Sequence, residues 1–265
     1  MIKKFALFLT AVIVISTFKF NAFASNEAFS WYCKRTKDHT QPVADKTLEF
    51  VSEYGGYYVD KYHGDDCEDK VVYLTFDAGY ENGNVSKVLD ALKEENVTGT
   101  FFILDLLLIK DLDLVNRMIN EGHTVANHTS KHRDVSSISS KDELQAELSS
   151  LERLFKEKTG KDMPKYFRPP EGRFSLQSMK YTNELGYKTI FWSFAYADWD
   201  NNNQMSPEAA KAKIMDNIHN GAILLLHPTS ETNARILGDV IRELKEQGFR
   251  FGTMDELTRS TNEKR

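Results

Sequence analysis

The chain has 265 residues, enough for one large domain or two small ones, with 34 basic and 39 acidic residues and a formal net charge of -5. An acidic chain without a basic stripe cannot neutralise a phosphate backbone, so nucleic acid is excluded as the expected partner. Only two cysteines, Cys33 and Cys67, are present, too few and wrongly spaced for a thiolate metal site.

The opening stretch, MIKKFALFLTAVIVISTFKFNAFA, joins Lys3 and Lys4 to an apolar run from Phe5 to Phe18 and ends in small residues at Ala22 and Ala24. That is the pattern of a secretory signal cut after Ala24. As an uncleaved anchor the run is short against the ~20 residues that a membrane span needs. Export is therefore expected, and no second apolar run approaches membrane length, so no stable insertion should follow removal of residues 1–24. Their loss takes away Lys3, Lys4 and Lys19 and no acid, making the remainder more acidic still. In an exported chain Cys33 and Cys67 are compatible with one disulfide or with two free thiols.

Residues 25–69, with YGGYY and HGDDCEDK, read as a loop-rich N-terminal extension packed on the main domain. From position 70 the chain alternates between short apolar runs and segments of helical period. The runs are VVYLTF (71–76), TGTFFIL (98–104), HTVAN (123–127), KYF (165–167), KTIFWSF (188–194), AILLL (222–226) and FRFGT (249–253). Between them, Asn84 is placed to cap a helix carrying Val85, Val88, Leu89 and Leu92 on one face. Ser140 and Glu143 form a capping-box pair ahead of Leu144, Leu148, Leu151 and Phe155, with Gly160 as the stop. Ser206-Pro207 starts another helix, and Ile236, Val240, Ile241 and Leu244 mark a last one, closed by Gly248. Seven strands alternating with helices predict a parallel α/β fold over residues 70–258, with 259–265 as a flexible tail.

In such folds the carboxyl ends of the strands hold the ligand site. At or shortly beyond the ends of these runs stand Asp77, His128, Arg168, the pair Asp198-Trp199, and His227, all on one expected rim. His128 and His132 are four apart, which on a helix puts both imidazoles on one face within reach of one metal ion. Two neutral imidazoles suit a zinc-like divalent cation, which polarises a carbonyl and lowers the pKa of water. A carboxylate can then take a proton from water, and a second group must protonate an amine that leaves. Asp77 and His227 fit these two tasks, although each residue type also occurs in the same setting as a turn cap or as a buried hydrogen-bonded histidine. Arg168, stiffened by the following Pro169-Pro170, can hold Asp77 ionised. Trp192, Tyr196 and Trp199 can pack the rim or stack on a sugar ring, Trp199 most directly.

The segments TFDAGYENG, NHTSKH, RPPEGRFS, DW and LLLHP occur in the order of the five signature segments of the polysaccharide deacetylases, the NodB-homology group or carbohydrate esterase family 4, which the chain resembles over nearly all of its main domain. The resemblance implies a distorted (β/α) barrel with about seven parallel strands and metal-dependent N-deacetylation of an N-acetylated sugar polymer. It implies Asp77 as base, His227 as acid, Arg168 as the residue tuning the base, Asp198 in the fourth segment, and His128 and His132 as ligands of a divalent, zinc-like cation. Tyr80, Phe174 and Trp199 are the residues expected to contact the sugar. Most of the family read TFDDG, with the second aspartate a third ligand; here that position is Ala78, leaving water, Asn82 or Asn84 for the vacant role. GYENG, WYCKR (31–35) and ADWDNNNQ (197–204) are similar to the muramic-acid deacetylases of the spore cortex, whose product closes to muramic δ-lactam. That likeness implies a peptidoglycan glycan strand as partner and a location in the cell wall, the intermembrane space of a spore, or outside the cell; a monomeric protein is expected. N-acetylglucosamine in peptidoglycan or chitin-like chains is the competing substrate, and a non-catalytic glycan-binding protein is the competing class.

Overall fold

The computed structural model describes residues 27–259; the expected signal segment and positions 260–265 of the expected tail lie outside them. In chain order the strands are β1 (Ala28–Ser30), β2 (Cys33–Lys34), β3 (Val43–Ala44), β4 (Gly56–Tyr57), β5 (Lys70–Ala78) and β6 (Thr100–Ile103). They continue with β7 (Thr124–Asn127), β8 (Tyr166–Phe167), β9 (Arg173–Ser175), β10 (Lys188–Ile190), β11 (Ala222–Leu226) and β12 (Phe249–Phe251). The helices are α1 (Val85–Glu94), α2 (Asp105–Lys110), α3 (Leu112–Asn120), α4 (Lys141–Thr159), α5 (Leu176–Glu184), α6 (Pro207–Met215), α7 (Glu231–Glu246) and α8 (Met254–Leu257).

Alternation along β5 builds the molecule in two layers, because successive side chains leave a strand on opposite faces. Val72, Leu74, Phe76 and Ala78 face outward into an apolar cluster with Val88 and Leu89 of α1 and Val240 and Ile241 of α7. Burying each large aliphatic side chain of this kind is worth about 1.5–3 kcal/mol, which is what fastens the helices to the sheet. Val71 and Tyr73 face inward with Phe102, Ala126, Tyr166, Ile190 and Ile223, one or two from each neighbouring strand. The inner face is therefore filled by side chains in layers, and the next inward residue at each strand end stands above that packing.

The strands run in the order β11-β5-β6-β7-β8-β10-β4, with β12 beside the first residues of β5. All of these pairings are parallel. Past β10, Phe194 bridges Leu224 of β11, and past β4, Val59 bridges Ala222, so the sheet curls until its ends meet. The seven expected strands are all present in a distorted barrel, and β4, drawn from the segment ahead of position 70, is an additional one. YGGYY reads as loop in the sequence; two residues, one of them glycine, carry no alternating pattern to announce a strand.

Local signals behave unevenly. Ser140 accepts from the Glu143 amide and Gly160 closes α4 in the left-handed conformation, but Glu143 turns to Ser139 and Arg133 instead of completing the box. Ser206 caps α6 with Pro207 at its first position. Asn84 makes no side-chain cap; Glu81 accepts from the Val85 amide in its place, while Asn84 donates to the Thr229 carbonyl. Both cysteines are free, Cys33 buried with its thiol pushed up to about 11 by loss of solvent, so no bridge ties the N-terminal segment. Among the described residues no helix is long and apolar enough to cross a membrane.

Candidate active site

Each chemically active side chain continues the inward register of its strand. Thr75 and Asp77 follow Tyr73, His128 follows Ala126, Arg168 follows Tyr166, Trp192 follows Ile190, and Leu225 and His227 follow Ile223. They converge at the carboxyl end of the barrel on a cleft of about 640 Å³, whose lining includes Asp77, His128, His132, Glu171, Trp192 and His227.

Arg168 lies beneath the cleft floor with no solvent exposure. Its Nη1 donates to Asp77 Oδ1 at 2.9 Å and its Nη2 to Thr75 Oγ1 at 2.8 Å. Nε donates to the Ile190 carbonyl at 2.9 Å, and the guanidinium lies 4.2 Å over the Phe102 ring. Burial alone would raise the Asp77 carboxyl, but the charges of His128, Arg168 and His227 and the Arg168 hydrogen bond hold it below the usual carboxylate range. Removing one partner of such a pair leaves a buried charge uncompensated. Arg168→Met is accordingly expected to destabilise the fold by about 3–5 kcal/mol, read from urea unfolding midpoints.

His227 is built differently. Its Nδ1–H donates to Asp198 Oδ1 at 2.7 Å, leaving Nε2 for the cleft. Asp198, 1% exposed, also accepts from the His227 amide at 2.8 Å and from Asn233 Nδ2 at 2.6 Å. Asn233 is held in turn by the Tyr196 hydroxyl. Burial would lower the His227 pKa, yet the Asp198 hydrogen bond and charge, with the Asp77 charge, raise it above its ordinary value. A carboxyl shifted toward its ionised form and an imidazole shifted toward its protonated form thus line the same cleft, which suits acid–base hydrolysis.

His128 donates from Nδ1 to the Arg168 carbonyl at 2.8 Å, which leaves Nε2 unprotonated, 3.5 Å from Asp77 Oδ2. Burial lowers its pKa to about 4. The His132 ring lies 5.1 Å away at 72°. The pair sits on a turn beyond β7, with Thr129 and His132 at positive φ and Asn127 Oδ1 accepting the Thr129 amide. The two left-handed residues bring the rings together without a helix.

A polysaccharide deacetylase family model matches residues 64–190. The peptidoglycan-N-acetylmuramic acid deacetylase PdaA of Bacillus subtilis is 41% identical over 88% of this chain and 86% of its own. The solved structure of that family 4 carbohydrate esterase superposes with a TM-score of 0.82, covering 88% of this chain and 98% of the other. The chain belongs to the polysaccharide deacetylases of carbohydrate esterase family 4. These are hydrolases acting on N-acetylated sugars. A Bacillus anthracis family 4 carbohydrate esterase matches at 35% identity and a TM-score of 0.71 over 88% of this chain and 96% of that one. A Bacillus cereus peptidoglycan-N-acetylglucosamine deacetylase is 30% identical over 73% of this chain and 70% of its own.

Within this family 4 site, the remaining expected residues divide. Trp199 (64% exposed) and Tyr80 (43%) stand at the cleft, with Asn201 donating to the Tyr80 hydroxyl at 3.1 Å. Phe174, expected to contact sugar, is 1% exposed and packs against Phe191 and Phe29, because β9 turns it inward beneath β1. The cleft residue from that segment is Glu171, at φ +56, a left-handed conformation that costs a non-glycine residue roughly 1–2 kcal/mol. Nothing in RPPEGRFS announces it, since glutamate is not a residue type that favours positive φ. Asn82 and Asn84 both donate to the Thr229 carbonyl, a tie that orients their amides to the backbone.

The donor set offers a cation two imidazoles. Ala78 puts its methyl in the outer apolar layer, and among the described residues no group of three His, Cys, Asp or Glu is arranged to hold a metal. His128 has the tautomer of a ligand, its second nitrogen fixed by a carbonyl. The residues fit a divalent ion held by His128 and His132, with its other positions left to water or substrate.

Proposed function

We propose that the protein is an exported peptidoglycan N-deacetylase acting on N-acetylmuramic acid, its product closing to muramic δ-lactam, as in the spore cortex. The observation that carries the chemistry is the placement of Asp77 and His227, a carboxylate shifted down and an imidazole shifted up, on one cleft with aromatic walls. Asp77 Oδ2 takes the proton of an attacking water, and Arg168 keeps that oxygen's partner anchored. The water adds to the acetamido carbonyl, and His227 Nε2–H is delivered to the nitrogen as the C–N bond breaks, giving acetate and a free amine. A divalent, zinc-like cation on His128 and His132 would supply carbonyl polarisation. Tyr80 and Trp199 offer stacking surfaces for neighbouring sugars of the strand.

Muramic acid is favoured over glucosamine by the 41% identity to PdaA along 88% of the chain, against 34% over 71% for the N-acetylglucosamine deacetylase PgdA of Listeria monocytogenes. Export rests on the pattern of residues 1–24. Incubation with peptidoglycan should release acetate and produce muramic δ-lactam on mass spectrometry of the digest. A chelator should stop the release and zinc should restore it. Free glucosamine without lactam would transfer the reading to the other sugar; binding without acetate would make the protein a glycan binder; release indifferent to chelation would remove the cation.

A further inference from the structure

Strand β1 pairs with β9, which follows directly on the cleft segment that carries Glu171. Its antiparallel ladder with β9, from Ala28 opposite Ser175 to Ser30 opposite Arg173, is continued by the Trp31 amide donating to the Gly172 carbonyl at 2.8 Å. The Trp31 indole N–H donates to the Trp192 carbonyl, also at 2.8 Å. One residue therefore ties together two separate stretches of the wall, since Glu171 and Trp192 both line the cleft.

The surrounding packing leaves this tie little slack. Trp31 is 7% exposed and stacks on Phe191 with centroids 4.6 Å apart at 26°. The Phe191 carbonyl accepts from Arg168 Nη2 at 3.2 Å, so the same stack reaches the group that holds Asp77. Gly172 sits between the two tryptophans at φ +63; a Cβ there would lie 2.7 Å from Trp192 Cη2 and 3.1 Å from Trp31 Cβ. Only glycine lets the Trp192 ring and the Trp31 Cβ approach it this closely. Glu171, beside it, keeps its left-handed backbone between the Pro169-Pro170 stiffener and this anchored glycine. Strained backbone of that kind persists where its surroundings over-determine it.

We propose that Trp31 is a positioning residue of the deacetylase, setting through Gly172 and Trp192 the wall against which the N-acetylated sugar chain lies. Glu171 offers that chain a carboxylate acceptor for hydroxyl groups, and Trp192 an apolar ring face. The inference rests on the deacetylase reading for its substrate.

Trp31→Phe in the full chain keeps a stacked ring and the backbone bond but has no indole N–H. For an N-acetylated peptidoglycan oligosaccharide, KM should rise about fivefold or more, as the released wall loses substrate contacts worth about one hydrogen bond. The kcat should stay within about twofold, with both limbs of the pH profile in place. Trp31→Ala should move KM further in the same direction. An unchanged KM overturns the proposal, and so does a loss of kcat alone that tracks the unfolded fraction in thermal melts. Should wild type release no acetate, the functional reading fails, and titration of tryptophan fluorescence with the oligosaccharide still decides the role of Trp31. The two tryptophans left in the variant, Trp192 and Trp199, both line the cleft. Affinity weakened about fivefold supports the tie, and equal affinity overturns it.

Discussion

Asp77→Asn is expected to lower acetate release by about 10²–10⁴-fold, the usual worth of a positioned general base. The substitution keeps an amide oxygen that can accept from Arg168 Nη1, and it keeps the volume at the end of β5, so a folded protein should result. What is lost is the negative charge that makes Oδ2 a proton acceptor. Arg168 then has no counter-charge but retains the Ile190 and Phe191 carbonyls and the Thr75 hydroxyl as acceptors. Stability should therefore fall by about 1–3 kcal/mol, less than in the Arg168→Met variant, where the buried carboxylate loses the cation hydrogen-bonded to it. Linkage points the same way. The depressed Asp77 pKa gives stability that is present above its unfolded value and is lost as pH falls through the folded one. The asparagine variant should lack that acid-side dependence. Acetate assays beside urea unfolding would check both parts, and turnover within tenfold of wild type would remove Asp77 from its role.

The base is legible in the sequence because a buried strand of a parallel barrel reads as an unbroken apolar run, so the first charged residue after VVYLTF stands out. His128, Arg168 and His227 are visible for the same reason. Register explains why these residues and not their neighbours matter: each lies an even number of positions beyond an inward core residue, as Asp77 does from Tyr73 and His227 from Ile223. The same count picks out Trp192 two beyond Ile190. Features set by distant contacts are not legible. Glu171 is turned toward the cleft by a backbone conformation that no local pattern encodes. Phe174 looks like a rim aromatic until β1 is seen lying across it. Asn84 resembles a cap, yet Glu81 reaches the helix amide first and the Thr229 carbonyl claims the asparagine. The histidine pair meets as its spacing would allow on a helix, but a turn with two positive-φ residues brings the rings together here.

His227→Ala should cost a comparable 10²–10⁴-fold by removing the proton donor, but Asp198→Asn separates donor strength from donor presence. Asp198 raises the His227 pKa through a hydrogen bond and a full charge, so wild type keeps the imidazole protonated further into the neutral range than a free histidine. Activity that needs this proton should fall as pH rises through that raised value, forming the alkaline limb of a bell. With asparagine at 198 the charge is gone, the pKa drops, and the limb should shift to lower pH. The acid limb, set by Asp77, should hold nearly still. Stability follows the same sign: a raised histidine pKa contributes stability that is fully present below its unfolded value near 6.5 and disappears as pH climbs through the folded one. The variant should therefore lose most stability on the acid side of neutrality and least at alkaline pH. A pH profile of kcat/KM in which the alkaline limb stays in place after Asp198→Asn would show that some other group delivers the proton to the departing nitrogen.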